Sequence, residues 1–462
     1  MKQKYVLGKT TFAVLLGLLA ILLIVPSCTT DDKVPDLSDE GTNDWIYKVM
    51  TDNYLWYKDV PDRGSLNFSQ SPDKFFASLL SDQDGVKYGD GWLTFSRIEK
   101  KQEETKSVTA SDSYGFEFAS YYNKDNGLYY AWVLYVLPGS PAAEAGLKRG
   151  DWITSDVLSP SEFCNGSERA FDVVRYENKS FVFDRKIVIY GSRPVEDTPF
   201  LKDTVYTMNG KNIGYLVYNS FSAGPDDEST IYNDQMKQIF AEFKAKNVKE
   251  FVLDLRYNQG GLVTCAQLMT SLLAPADALG NTFCIMEHSD KQSGKNETLL
   301  MKKNAELGNA NLDLKRLYVL TGGVTASASE AVINCLIPYM KRSNITLIGE
   351  KTIGKRVGSN TFGTKEEYDW ILHPITLRIY NKDHNADYAN GFVPDVKIDE
   401  LVVGNDLYPF GDTKDLLLGE ALSQIAGLRS QSAREESGDR ILLSPTSLER
   451  KKIKGLIYES AR

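Results

Sequence analysis

The segment TGGVTASASE at residues 321–330 lies between an apolar run, 317–320, and a stretch with the 3.6-residue spacing of a helix, 328–336. A short strand, a glycine turn and a helix are therefore predicted in that order. Ser327 and Glu330 have the spacing of a helix capping box, and local evidence alone favours this structural role for the serine. A serine at a helix start is nevertheless well placed for nucleophilic attack, because the N–H of Ala328 can stabilise an oxyanion.

Alternating apolar strand-like runs and helical runs extend from residue 212 to about residue 427. Strands are predicted at 213–218, 250–255, 317–320 and 345–348, and helices at 231–246, 262–273 and 328–336. Such alternation is typical of an α/β core with parallel strands, in which functional sites gather at the strand ends.

Two further motifs each follow a predicted strand. The motif LDLRYNQGG at 253–261 ends in Gly260 and Gly261, whose N–H groups precede a helix and can face an anion. An oxyanion hole, a phosphate site and a bare tight turn all fit this pattern. The motif GEKTIGK at 349–355 ends in Lys355. Most such lysines are solvated, and a lysine acts as a general base only if burial lowers its pKa from about 10.4 toward 7.

Short β-rich runs from 107 to 191 surround the motif PGSPAAEAGLKRGD at 138–151, and together they resemble a PDZ domain. The resemblance implies that backbone N–H groups in a glycine-led loop capture the carboxylate of a peptide C-terminus. Gly115 would supply the close approach, with Phe116 and Phe118 lining the side-chain pocket on either side of Glu117. In the alternative interpretation, these glycines only shape turns in a β-domain that binds no peptide.

The N-terminus has the pattern of an export signal, in which lysines precede a 15-residue apolar run at 11–25. A transmembrane anchor is the alternative, but about 20 residues are needed to span a bilayer. The sequence IVPSC at 24–28 resembles a bacterial lipobox, although Val25 stands where leucine is commoner. The resemblance implies acylation of Cys28, attachment to a lipid membrane and a location in the bacterial cell envelope, outside the cytoplasm.

The 462 residues predict a multidomain protein, and a net charge of −9 without a basic cluster argues against a nucleic-acid partner. Helical spacing at 44–80 predicts a small N-terminal domain, in which the aromatic stretch at 54–57 is expected to pack in the core rather than to bind a ligand. The charged run at 99–106 predicts a linker after this domain. The cysteines lack metal-binding spacing, so no metal is expected. No other cofactor is expected either, and the oligomeric state is not indicated.

The predicted organisation is a signal peptide at 1–28, a tether at 29–43, a helical domain and linker at 44–106, a PDZ-like domain at 107–192, an α/β core at 193–427 and a polar tail at 428–462.

These motifs, taken in their order, resemble the C-terminal processing (tail-specific) serine peptidases. The resemblance implies an endopeptidase that cleaves proteins near unstructured C-termini, with Ser327 as nucleophile and Lys355 as general base. It also implies an oxyanion hole formed by backbone N–H groups of Ala328 and of Gly260 or Gly261.

The sequence departs from that family at Ser359, where many members carry a glutamine that orients the lysine, so the orienting residue is left open. A Ser-His-Asp enzyme is the first alternative. Its histidines would be His288 in a predicted loop, His373 in a strand-like run and His384 in a polar turn, although each is expected to be structural or solvated. The second alternative is a binding lipoprotein that keeps the fold for peptides or apolar ligands without catalysis.

Overall fold

The structure is a computed structural model that describes residues 36–101, 112–156, 159–164, 166–226, 228–364, 368–428 and 456–457. The predicted signal peptide, Cys28, residues 29–35 of the predicted tether, and most of the predicted polar tail lie outside these residues. Among the described residues, no helix is both long enough and apolar enough to cross a membrane.

The N-terminal region combines two helices with a β-hairpin and a strand. Its elements are α1 Asp39–Asn53, α2 Pro72–Ala77, β1 Gly85–Tyr88, β2 Gly91–Thr94 and β3 Arg97–Lys100. The predicted helical character is confirmed for the two helices, but turns of 3-10 helix lie between them. The prediction of a linker beginning at Glu99 is wrong, because β3 pairs with a distant strand of the core. As expected, the aromatic stretch packs into the core, where Tyr54 is fully buried.

A β-rich unit follows, consisting of a five-stranded antiparallel sheet with a short helix. Its elements are β4 Asp112–Ser113, β5 Phe116–Asn123, β6 Leu128–Val136, α3 Pro141–Glu144, β7 Trp152–Thr154, β8 Glu168–Glu177, β9 Ser180–Tyr190 and β10 Arg193–Pro194. The sheet runs in the order β5-β6-β7-β8-β9, which leaves one side of β5 at an edge. Strands β4 and β10 pair with each other and bring together the two ends of the unit.

The core is built on a six-stranded sheet in the order β11-β12-β13-β16-β17-β21. All neighbours from β12 onward are parallel, and β11 is an antiparallel edge strand. The elements of this layer are β11 Phe200–Met208, β12 Lys211–Tyr218, α4 Ile231–Ala245, β13 Glu250–Asp254, α5 Val263–Leu273, β16 Leu317–Thr321, α6 Ala328–Met340, β17 Ile345–Gly349, β21 Val396–Lys397 and α7 Leu416–Ala426. The seven elements predicted from the sequence are confirmed, most of them within one residue at each end.

A second sheet, in the order β15-β14-β20-β18-β22, lies beside the first. Its strands are β14 Thr282–His288, β15 Glu297–Leu300, β18 Val357–Ser359, β20 Ile375–Tyr380 and β22 Leu456–Ile457. The remaining strand, β19 Trp370–His373, pairs with β3. Helices α4, α5 and α6 cover one face of the six-stranded sheet in a large apolar core that also includes residues of β14 and β20, and α7 covers the other face.

Two apolar clusters join the three regions to one another. One cluster packs Ile46, Met50 and Phe75 of the N-terminal helices against Val357 and Ile375 of the second sheet. Another cluster packs tryptophans and tyrosines of the β-rich unit against the core, and it includes Tyr257, Val324, Leu401, Val403 and Leu407. The loops that carry the sequence motifs therefore lie where all three regions meet.

Candidate active site

Three loops meet at the carboxyl end of the parallel sheet, as the order of its strands requires. Strands β13, β16 and β17 are adjacent and parallel, so the motifs that follow them leave the sheet at the same edge. The hydroxyl of Thr325 donates to the carbonyl of Leu255 at 2.7 Å, and the N–H of Ile353 donates to the carbonyl of Thr325 at 3.0 Å. The predicted nucleophile loop is thus bonded to both neighbouring loops.

Ser327 occupies a strained backbone position at the start of α6. Its φ of 61° and ψ of −114° lie outside the regions that a serine ordinarily adopts, and the residue is fully buried. Such strain is characteristic of a serine on a sharp strand-to-helix turn, where the fold over-determines the backbone. The N–H of Ser327 donates to the Glu330 carboxylate at 2.9 Å, so the predicted capping box is also present.

Glu330 connects the serine to the lysine loop. Its carboxylate accepts hydrogen bonds from the N–H of Ser327, the hydroxyl of Thr352 at 2.6 Å, and the N–H groups of Gly354 at 2.7 Å and Lys355 at 2.8 Å. Burial raises the pKa of Glu330 to about 7, and these hydrogen bonds limit the rise because they favour the charged form. One buried carboxylate therefore fixes the backbones of both predicted catalytic residues.

Lys355 is buried, with only 3% of its surface exposed. Its ammonium group faces the N-terminal region: it donates to the carbonyl of Phe95 at 3.5 Å and lies 5.3 Å from the centre of that ring. Burial lowers the pKa of Lys355 to about 8, and the positive charge of Arg97 contributes to the lowering, while Asp84 and Glu330 oppose it. The neutral amine that a general base requires is therefore accessible near neutral pH.

A small, mostly apolar cavity adjoins Lys355. Its walls come from the N-terminal region and from the loops around Ser327, and they are formed by Leu93, Thr94, Phe95, Gln259, Val324, Ala326, Ile353 and Lys355. The N-terminal region therefore supplies part of the site. The sequence did not indicate this contribution, because the β1–β2 hairpin and β3 join the site only through long-range contacts.

The first glycine of the pair, Gly260, lies directly against Ser327. A Cβ atom on Gly260 would come within 2.7 Å of the Ser327 Cβ and 3.0 Å of the Ala328 nitrogen, so only glycine fits there. The N–H of Gly260 already donates to the Asn258 side chain at 2.8 Å. Among the described residues, the N–H groups of Gly261 and Ala328 have no hydrogen-bond acceptor. Of the predicted oxyanion donors, these two are the ones available to a ligand.

The third position named from the sequence, Ser359, lies at the end of β18 and is buried. Its backbone pairs with Ile375 of β20. Glu330, which the sequence indicated only as a capping partner, bonds to the backbone N–H of Lys355, whereas the Lys355 ammonium donates to the carbonyl of Phe95. The sequence signal for a buried role of Glu330 was its position as an acidic residue inside an otherwise apolar helical run.

The three histidines occupy other surroundings. His373 lies in β19 and its ring nitrogens are bonded to Glu99 and Thr361, and His384 is bonded to Glu287. His288 ends β14, so its predicted loop position is wrong; burial lowers its pKa. None of these bonded pairs includes Ser327.

The residues predicted to bind a peptide carboxylate lie at the start of β5. Phe116 and Phe118 are 2% and 0% exposed and pack against each other inside the β-rich unit rather than lining an open pocket. The N–H of Gly115 donates to Ser113, while Glu117 lies in the strand between the two rings. Peptide capture at this edge stays a prediction. The cysteines of the described region, Cys164, Cys265, Cys284 and Cys335, are buried, and no disulfide joins any two of them.

A comparison with family models matches residues 212–398 to the family described as Peptidase family S41, and residues 41–97 to the Peptidase S41 N-terminal domain. The chain is 29% identical over 274 residues to the Carboxy-terminal processing protease CtpA of Bacillus subtilis, a match covering 58% of this chain and 52% of the relative. It is 26% identical over 300 residues to the Carboxyl-terminal-processing protease of Picosynechococcus, covering 63% and 65%. The chain thus spans about half the length of several of the curated relatives it matches.

A solved structure from Bacteroides fragilis that is assigned to the S41 proteases is similar over most of its length. It is 37% identical, covers 83% of this chain and 97% of its own, and superposes with a TM-score of 0.72. This similarity agrees with the two family models, which match residues 41–97 and 212–398. The chain therefore belongs to peptidase family S41.

Proposed function

We propose that the protein is a serine endopeptidase in which Ser327 is the nucleophile and Lys355 the general base, and that it cleaves proteins near unstructured C-termini. The observation that carries the proposal is the shared carboxylate of Glu330, which accepts hydrogen bonds from the backbone N–H groups of both residues. The names of the relatives from Bacillus subtilis and Picosynechococcus support the substrate class.

In the proposed reaction, neutral Lys355 takes the proton of Ser327 as the serine oxygen attacks the scissile carbonyl. The carbonyl oxygen becomes an oxyanion, which accepts hydrogen bonds from the N–H groups of Ala328 and Gly261. Collapse of this intermediate releases the leaving amine, which takes the proton from Lys355, and leaves an ester on Ser327. Water, deprotonated by the same lysine, then hydrolyses the ester and releases the acyl product.

The proposed cellular setting is an attachment to the bacterial envelope through acylated Cys28, with the β-rich unit capturing substrate C-termini in the manner of a PDZ domain. Support for the attachment comes from the lipobox-like sequence at 24–28, and support for capture from the edge position of β5. A binding lipoprotein without catalysis remains the alternative function. The buried Lys355 and the strained Ser327 favour the enzyme, because binding alone requires neither feature.

The test uses protein lacking residues 1–28 and an unstructured peptide with a free C-terminus. Wild type is expected to cleave the peptide, while Ser327→Ala and Lys355→Ala each lose more than 10³-fold in kcat, in the range measured for removal of catalytic groups. His373→Ala is the matched control and should keep its activity. Full activity in Lys355→Ala together with loss in His373→Ala would overturn the dyad, and binding without turnover in wild type would establish the alternative.

A further inference from the structure

Arg149 of the β-rich unit enters the core and ends in a buried cluster of charges. Its guanidinium donates to the carbonyl of Leu134 at 2.7 Å within its own unit and to the carbonyl of Tyr408 at 2.8 Å in the core. It also donates to the Tyr257 hydroxyl at 2.9 Å and to the Glu400 carboxylate at 2.8 Å. One side chain therefore bonds the β-rich unit to the loop that follows β13.

The other members of the cluster hold that loop in place. Arg256 is 1% exposed, and its guanidinium bonds to Asp254 at 2.7 Å, Glu400 at 2.6 Å and Asp415 at 2.9 Å. Burial of a guanidinium disfavours its charged form, but Tyr257 beside Arg149 and the carboxylates around both arginines more than offset this and raise the pKa of Arg149 and Arg256. The Tyr257 hydroxyl donates to Glu400 and accepts from Arg149. Because Glu400 also accepts from Arg256, these hydrogen bonds link the two arginines.

The next residue along the loop reaches the proposed catalytic groups. The carbonyl of Asn258 accepts the N–H of Ala326 at 3.2 Å and the hydroxyl of Ser329 at 3.1 Å, the two residues that flank Ser327 and Ala328. The side-chain oxygen of Asn258 accepts the N–H of Gly260. The position of Asn258 therefore determines the positions of the turn that carries Ser327 and of the double glycine.

Apolar packing also connects the β-rich unit to the loop that carries Ser327. Val324, three residues before Ser327, is buried in the cluster that joins Trp132 and Trp152 of the β-rich unit to Tyr257. Movement of the β-rich unit relative to the core would thus disturb the nucleophile loop both through Arg149 and through this apolar contact.

We propose that Arg149 and Tyr257 are positioning residues, through which the docked β-rich unit sets the geometry of the Ser327 turn and of the oxyanion donors. The inference rests on the proposed function. It gives the β-rich unit a role in acylation itself, separate from the capture of a substrate tail.

The experiment compares two substrates of different reach: a small activated ester that can contact only the catalytic centre, and a long unstructured peptide. Tyr257→Phe removes one hydroxyl and keeps the ring, and Arg149→Met keeps the length of the side chain without its donors. We expect Tyr257→Phe to slow the acylation of Ser327 about tenfold with both substrates, with KM changed less than twofold and little change in Tm. Arg149→Met should slow acylation further, with a lower Tm because it leaves carboxylates without their partner.

The matched control is Arg185→Met, which breaks a 2.7 Å ion pair with Asp151 inside the β-rich unit and should leave both reactions unchanged. Unchanged acylation in Tyr257→Phe would overturn the inference. So would a raised KM for the long peptide alone, because that result assigns the unit to substrate capture only. Wild-type protein that neither reacts with the ester nor cleaves the peptide would contradict the proposed function itself, and the inference with it.

Discussion

The Glu330 side chain is hydrogen-bonded to both residues of the proposed dyad. Its two oxygens accept four hydrogen bonds, and all four donors are buried. Burying a carboxylate is costly unless its hydrogen bonds are satisfied, so this arrangement holds its surroundings to one geometry. The sequence indicated Glu330 as a capping residue. Its hydrogen bonds to the loop that carries Lys355 could not be predicted from local spacing, because that loop lies more than 20 residues later in the chain.

Glu330→Gln is expected to lower kcat about 100-fold with a small effect on KM. An amide offers one acceptor oxygen, and its NH₂ group would face donors, leaving buried N–H groups unsatisfied at a cost of about 1–3 kcal/mol each. Steady-state kinetics and thermal unfolding measure the two effects. Glu420→Gln, a buried glutamate on α7, is the control and should alter stability without altering kcat. Equal losses of activity in both variants would show that Glu330 has no special position.

The lysine environment predicts a pH dependence with a definite direction. Since the base must be neutral and the pKa of Lys355 is about 8, kcat/KM should rise with pH, reach half its maximum near pH 8 and fall tenfold per unit below pH 7. Arg97→Met removes a positive charge that disfavours the lysine ammonium, so it should shift this profile to higher pH. A half-maximum near 6.5 that Arg97→Met leaves in place would point to a histidine instead.

At the scale of elements, the strand–turn–helix units of the core were predictable because each has a local signal. Apolar runs of four to six residues and the 3.6-residue spacing located β12, α4, β13, α5, β16, α6 and β17. Strand β3 was not predicted, and its last two residues were assigned to a linker, since its charged sequence, RIEK, carries no such signal. Its partner is β19, more than 270 residues later, and pairing with that strand rather than local propensity decides its conformation.

The turn that joins β13 to α5 contains Gly260, the glycine that lies against the Ser327 side chain. Gly260→Ala would place a Cβ atom against the Ser327 side chain at a φ of 107°, so we expect a loss of 10²–10³-fold in kcat, the order found when an oxyanion donor is removed. Gly294→Ala is the control, because nothing lies within 4 Å of its Cβ. Peptide cleavage and thermal unfolding of both variants provide the measurement. Normal activity in Gly260→Ala would exclude this turn from the catalytic centre.

At the scale of the whole molecule, two apolar clusters join the regions and include residues of the loops that carry the proposed catalytic residues. The sequence predicted three regions in the right order, since each has its own pattern. It did not predict that the N-terminal region covers Lys355, or that the β-rich unit bonds to the loop after β13. Both are contacts between residues far apart in the chain, and a single sequence carries no local signal for them.

The shared core predicts that damage to the N-terminal helices destabilises the core. Phe75 is fully buried in the cluster that includes Val357 and Ile375, so Phe75→Ala should cost about 3–5 kcal/mol. We expect one unfolding transition at a lower temperature, with reduced hydrogen-exchange protection in β18. Leu37→Ala, at a residue that is 54% exposed, should change neither. Two separate transitions, with only the first shifted, would indicate that the N-terminal region folds independently of the site.

The central claim is that Ser327 is acylated with Lys355 as its base, and mass spectrometry of the intact protein tests it most directly. Protein quenched during turnover of a slowly released ester should carry one acyl group, located on Ser327 after digestion. The same adduct should form at least 10³-fold more slowly in Lys355→Met. An acyl group on another residue, or equally fast acylation of Ser327 without Lys355, would contradict the account.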